Sequence, residues 1–202
     1  MASFFGASGL MDVWFAATKI PNVIQNLLGE GTLSASVIPV YSEFIEEGRD
    51  KEAGRFAGAV LGVLMAVAGG AALLGVLLAP VFIPVIFSEW DTDKVELATV
   101  VVRILFPMTA VLVVSAWALS ILNSHRRFLV SYLAPVAWNG VIISTVVVVG
   151  FGLGWSGRQL LLATAWGALG GGVLQFIVQL PYVIPLLTNF RLSVDRNVSG
   201  MG

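Results

Sequence analysis

Four long runs of the chain carry no Asp, Glu, Lys or Arg: residues 56–88, 104–124, 128–157 and 159–190. Each is long enough to cross a bilayer core about 30 Å thick, which takes about 20 apolar helical residues. A helix satisfies its own backbone in lipid, whereas an open sheet edge cannot, and no alternating segments of about ten residues point to a barrel. The pattern therefore predicts spans over about 54–88, 102–124, 128–154 and 159–188. Upstream, Asp12, Lys19 and Glu30 interrupt a weaker apolar pattern, which reads as a fifth, polar-marked span over about 9–47. Residues 1–8 lack the basic start and apolar stretch of a signal peptide and read as the end of a preceding helix, so the chain is expected to begin mid-structure.

Composition agrees with a polytopic, all-α membrane protein: 57% of the 202 residues are hydrophobic and 11% charged, with a mean hydropathy of +0.92. The absence of Cys and the single His leave no expected metal or cofactor site. A net charge of −1 lacks the basic excess of a nucleic-acid binder.

Position matters more than sum. Arg49, Lys51 and Arg55, then Arg126 and Arg127, then Arg191 and Arg196 lie on alternate connections, against Lys94 and Arg158 on the others. The positive-inside rule puts that seven-to-two majority, and the C-terminus, in the cytoplasm. Lys19 and Arg103 fall within or beside spans. Arg103 either pairs with a carboxylate in the bundle or snorkels to the outer surface.

Lipid supplies no hydrophobic force between helices, so small residues four apart and polar residues in register carry the packing signal. Gly54, Gly58 and Gly62 form one such ridge. Ala163, Gly167 and Gly171 form another, with Gln175 and Gln179 continuing the same face, and Asn123 and Asn139 are further packing candidates. Eight prolines predict kinked spans.

Ionisable groups at membrane depth are costly and mark function. Asp12 and Lys19, seven apart, share a helix face about 10 Å apart along the axis; the competing reading is an interfacial cap at Asp12 with Lys19 snorkelling. Glu30, between Gly29 and Gly31, fits either a broken helix lining a cavity or an interfacial turn. His125-Arg126-Arg127 fits a phosphate site but is already accounted for by orientation. No Gly-x-Ser-x-Gly, phosphate-cradling loop or catalytic carboxylate pair occurs, so an enzyme is not expected.

Phe5-Gly6-Ala7, Asp12, Lys19-Ile20-Pro21-Asn22, Glu30-Gly31 and Pro39-Val40 followed by an aromatic and Glu43 occur in one order and spacing. Phe106-Pro107, Ile121-Leu122-Asn123 before Arg127-Phe128, Ala134-Pro135 with Asn139, and Gly171-Gly172-Val173-Leu174-Gln175 through Gln179-Leu180-Pro181 follow. Together these resemble the MurJ/MviN lipid II flippases, within the multidrug/oligosaccharidyl-lipid/polysaccharide exporter superfamily. The resemblance implies two helical bundles around a central cavity that opens alternately to either side of the bacterial inner membrane. It implies that residues 1–202 are an incomplete N-terminal lobe. The first helix and the second lobe would be missing, the latter being this lobe's partner.

It further implies a cargo of lipid II or a related polyprenyl-pyrophosphate-linked saccharide, with membrane lipids as surroundings and no cofactor. Carried over by position, Asp12, Lys19, Asn22, Gln25 and Glu30 are cavity or charge-pair candidates. Where Gln25-Asn26 stand, many family members carry Arg, which leaves Lys19 as the only cation of this span. The alternatives are a sister exporter of drugs or another polyprenyl-linked saccharide, and a membrane scaffold that transports nothing.

Overall fold

A computed structural model of the protein describes residues 9–31 and 33–193; the side chains of Glu30, Gly31 and Ser34 lie outside the described residues, as do Phe5-Gly6-Ala7 and Arg196. The described residues form helices and no strand. In order they are α1 (Gly9–Gln25), two wide-turned π-helical segments (Asn26–Gly31 and Leu33–Val37), α2 (Ile38–Glu46), α3 (Asp50–Ile86), α4 (Thr92–Ser124), α5 (Phe128–Val147) and α6 (Gly157–Val183). A π-helical turn over Val148–Gly152 extends α5, and a short 3-10 turn over Ile184–Leu186 ends α6. Four of these, α3, α4, α5 with its extension, and α6 with its turn, are long and apolar enough to cross a membrane. The protein is an all-α, multi-pass membrane bundle.

Helix α4 is the centre: α1, α3 and α6 pack directly on it, and α5 packs mainly on α6. One core lies at the α4 start, where Val13 and Ala17 of α1, Ile83 of α3 and Leu160 and Leu161 of α6 close on Val101 and Leu105. The other lies toward its end, where Tyr41, Phe44, Phe56 and Leu61 close on Val113, Trp117 and Ile121.

Two tryptophans tie neighbouring helices through their only donor. Trp117 Nε1 of α4 donates to the Ala57 carbonyl of α3, and Trp138 Nε1 of α5 to the Ala168 carbonyl of α6, each at 3.0 Å. Both carbonyls sit beside glycines, because only where no side chain intervenes can an indole reach backbone. A Cβ on Gly171 would press on Trp138, and one on Gly167 would overlap the Thr145 side chain. The second ridge thus seats α6 on α5.

The first ridge meets something the periodicity did not suggest. A Cβ on Gly54 would strike the Thr188 carbonyl, and one on Gly58 the Arg191 carbonyl. The close approach is to the extended chain after α6, and not to another helix. Small residues four apart report that backbone comes near, without saying which backbone.

The polar packing candidates divide. Gln175 Nε2 donates to Ser115 Oγ at 2.8 Å, and that hydroxyl donates to Gln179 Oε1 at 3.1 Å. All three residues are buried, so this node joins α6 to α4. Asn139 Nδ2 instead donates to the Pro135 carbonyl one turn back at 2.9 Å and is exposed, so its hydrogen bond joins no neighbouring helix. Asn123 lies half-buried in the last turn of α4, where its backbone carbonyl accepts from Arg126.

The two ends differ in charge. Lys94 and Arg158 stand at the end where α1 begins, whereas Arg49, Arg126, Arg127 and Arg191 stand at the other. At that second end the Tyr41 hydroxyl lies 3.3 Å from Nε2 of His125. Burial, and then the Asp50 charge, raises the Tyr41 phenol to about 12. Burial, and then Arg127, holds the His125 imidazole below its usual 6.5.

Candidate functional site

Helix α1 has two unlike faces. Val13, Ala17 and Pro21, four apart, are buried on the bundle, together with Ala16. The small side chains let α1 lie close to α4. The opposite stripe carries Asp12, Phe15, Lys19, Asn22, Val23 and Asn26, all exposed. Helical spacing of three and four puts these on one surface.

An outward face of this composition is unlike the lipid-facing surfaces of the same molecule. Over residues 65–86 of α3 every exposed residue is apolar, among them Leu73, Leu74, Leu77, Leu78, Val81 and Val85. A charge at bilayer mid-depth costs roughly 2.5 to 3.5 kcal/mol on insertion scales. The α1 stripe therefore suits water or a polar partner better than hydrocarbon.

The helix is also built to break. Pro21 lacks the N–H that would reach the Ala17 carbonyl. Thr18 Oγ1 bonds the Trp14 carbonyl at 2.9 Å, a back-bond that often accompanies bending. From Asn26 the turns widen into the π-helical segments over Asn26–Gly31 and Leu33–Val37. Such turns loosen the backbone ladder and recur at functional positions. Glu30 sits within this break, although its side chain is among those not described.

Beneath the break lies a cavity of about 130 Å³ between α1, α4, α5 and α6, lined in part by Gln25, Gly29, Ala116, Pro135, Trp138 and Gln175. Gly29 lets the backbone come close here, since a Cβ there would stand 3.3 Å from that of Ala116, a tight contact. Gln25 is thus half-buried on the cavity side, whereas Lys19 and Asn22 are on the exposed stripe.

At the start of α1, Asp12 accepts from Lys94 Nζ at 2.8 Å. Lys94 is held from three directions. Its backbone N–H donates at 2.8 Å to Asp91, which caps α4, its ammonium lies 4.3 Å from the Trp90 ring centroid, and its chain end lies over Gly9, where any Cβ would stand 3.3 Å from Nζ. The Asp12 carboxylate is largely exposed, which keeps the pair within about 1 kcal/mol. Nearby, Arg158 pairs with Glu96 at 2.9 Å and so ties the α5–α6 connection to α4.

The structure therefore puts Asp12, Lys19 and Asn22 on one surface, Gln25 at the cavity beneath, and Gln175 and Gln179 in the interior node. Lys94 was missed as the partner of Asp12. The available signal was that it is one of only two cations on its side of the spans.

The family described as "Lipid II flippase MurJ" matches residues 1–202. The probable lipid II flippase MurJ of Buchnera aphidicola subsp. Acyrthosiphon pisum is 30% identical over 204 residues, taking in 95% of this chain and 38% of the relative. The lipid II flippase MurJ of Burkholderia cenocepacia is 30% identical over 183 residues, with 90% of this chain and 35% of the relative covered. The probable lipid II flippase MurJ of Vibrio cholerae is 30% identical over 196 residues, with 91% and 36% covered. The chain spans little more than a third of the length of these relatives.

Proposed function

The chain belongs to the MurJ family, and from that premise we propose that it forms one wall of the path by which lipid II, the lipid-linked peptidoglycan precursor, crosses the bacterial cytoplasmic membrane. The observation that carries this reading is the exposed polar stripe of α1, with Lys19 and Asn22 facing away from the bundle. Hydrocarbon is a poor environment for that face, and a watery passage shared with a second wall is a good one. Residues 1–202 act as most of one lobe, and further helices of the kind the longer relatives have room for supply the other.

The division of labour follows from chemistry. Lys19 is a compact cation for the pyrophosphate, and the amides of Asn22 and Gln25 suit saccharide hydroxyls. The prenyl tail stays in lipid, so only the head group travels through the polar path. Nothing in this division requires a covalent step, and the protein acts as a transporter and not as an enzyme.

Asp12 has the wrong sign for the cargo and serves as a latch. Its pair with Lys94 holds the start of α1 to the α3–α4 connection, while the break at residues 26–37 lets the rest of the helix swing. Exchange of that pair between states gives alternating access a defined contact to make and break. The seven-to-two charge division supports a cytoplasmic C-terminus, which makes the Lys94 end the outer one.

The test is complementation in bacteria depleted of their own flippase, read as outer-leaflet exposure of lipid II. The chain joined to its native flanking sequence should restore exposure, and Lys19→Ala should reduce it severely at equal membrane abundance. A well-inserted protein that restores none would overturn the assignment of lipid II as cargo.

A further inference from the structure

Arg103 lies within a membrane-crossing helix and is exposed. Its Nε donates to the Val76 carbonyl of α3 at 3.0 Å. That carbonyl is available for a specific reason. Its ordinary helical donor would be the N–H of residue 80, which is proline and has none. The guanidinium takes the place of the absent donor and is fixed on α3 by one of its five N–H groups.

The other four point to a ligand. Among the described residues Arg103 makes no ion pair and no other hydrogen bond. The acids on the elements around it are engaged or remote. Glu96 is held by Arg158 and Asp12 by Lys94, Asp93 lies ten residues, about 15 Å, back along α4, Asp50 and Glu52 lie more than twenty residues along α3 from Val76, and α6 has none.

Depth narrows the ligand's chemistry. The 33 residues of α4 measure about 50 Å against a core of about 30 Å, which leaves about 10 Å beyond the hydrocarbon at each end. Arg103 lies eleven residues into α4, so its Cα is only about 6 Å inside the core. Helical side chains lean toward their own N-terminus, here the Lys94 end, which carries the guanidinium to the level of the lipid phosphates.

We propose that Arg103, anchored on the carbonyl that Pro80 leaves open, is a binding site for the phosphate group of a membrane lipid in the leaflet at the Lys94 end. The free edge of the guanidinium presents parallel N–H groups of the spacing that phosphate oxygens accept. The phosphate belongs either to an anionic phospholipid or to a polyprenyl pyrophosphate. Only the second source rests on the flippase reading above.

The full-length protein would be placed in nanodiscs of phosphate-free digalactosyl diacylglycerol doped with phosphatidylglycerol, undecaprenyl pyrophosphate or monogalactosyl diacylglycerol, and retained lipid counted by native mass spectrometry. Arg103→Gln keeps a donor for the carbonyl but no charge, and is expected to retain about tenfold less of a phosphate-bearing lipid, the loss of one charge-assisted pair. Monogalactosyl diacylglycerol should be unaffected, and Arg103→Lys should recover part of the retention. A fall confined to phosphatidylglycerol identifies a bilayer phospholipid as the ligand, and one confined to undecaprenyl pyrophosphate identifies the precursor type. Equal retention of both phosphate lipids by the native protein and Arg103→Gln would overturn the site. So would an equal fall for monogalactosyl diacylglycerol, or no recovery with lysine. None of these readouts involves transport, so failure here and failure of the flippase reading are separable.

Discussion

Helices α1 and α5 both stand at the outside of the bundle, yet they present opposite surfaces. The outer face of α5 carries Leu129, Tyr132, Leu133, Val136 and Ile143 with Asn139 among them, whereas that of α1 sets Asp12, Lys19, Asn22 and Asn26 beside Phe15 and Val23. Only 11% of the most apolar stretch of α5 with its extension is buried, against 61% for the similarly apolar α4. Exposure in a membrane protein thus means two things. For α5 it means a surface suited to lipid, which apolar side chains tolerate at no cost; for α1 it means a surface that lipid does not suit.

The contrast is broken most directly by putting the same charge on each face. Ile143→Asp should lower membrane insertion by about 3 kcal/mol, as a carboxylate facing hydrocarbon does. Val23→Asp on the α1 stripe should change it little. Glycosylation-tagged insertion assays of both variants would measure the difference, and equal losses would show that the α1 face also meets lipid.

Next in size is Lys19, the cation we propose to face the cargo. Removing a charge-assisted hydrogen bond costs about 1.5 to 3 kcal/mol, so Lys19→Ala should weaken lipid II binding about ten- to a hundredfold. A neutral long-chain lipid should bind as before. Equal loss of both would mean folding damage and would remove the functional distinction between the two faces.

A smaller effect is expected inside. Ser115→Ala deletes the hydroxyl between Gln175 and Gln179 and should destabilise the α4–α6 contact by about 1 kcal/mol, as interhelical polar contacts in membranes do. Asn139→Ala, on the lipid side of α5, should be near neutral. Unfolding in mixed micelles would compare them, and similar losses would make Asn139 a packing residue after all.

Smallest is the Asp12–Lys94 pair that we propose as a latch. Asp12→Asn or Lys94→Gln should change stability by at most about 1 kcal/mol, because the carboxylate is largely exposed. Their effect on lipid II exposure should be larger than their effect on stability, and the exchanged pair Asp12→Lys with Lys94→Asp should recover transport. If the single changes leave transport intact at normal expression, the pair is a static contact.

The site was legible unevenly, and its residues show why. Asp12, Lys19 and Asn22 stood out because polar groups are rare in such a chain, and their common face follows from helical spacing. Gln25, also on that helix, continues the buried series of Val13, Ala17 and Pro21, so the same spacing turns it inward, but that a cavity waits there is decided by the packing of α4, α5 and α6. Lys94 could be shortlisted as one of two cations on its side of the spans, but its pairing with Asp12, 82 residues away, is set by the folding of the connections. Asn139 looked like Gln175 in the sequence, but one amide folds back on its own helix and the other crosses to Ser115.

The sequence by itself determined that the chain is helical, that four helices are long and apolar enough to cross a membrane, and that basic residues gather on alternate connections. These follow from demands that each segment meets alone: backbone satisfied in lipid, a core of fixed thickness, and charges kept to the ends. Only the tertiary structure decided that α4 is central and α5 peripheral, that the Gly54 ridge receives the chain after α6, and that Arg103 covers the carbonyl freed by Pro80. In water a helix advertises its buried face by hydrophobicity. In lipid, neighbour and solvent are equally apolar, so the faces are told apart only by the close contacts and hydrogen bonds that form once the helices meet.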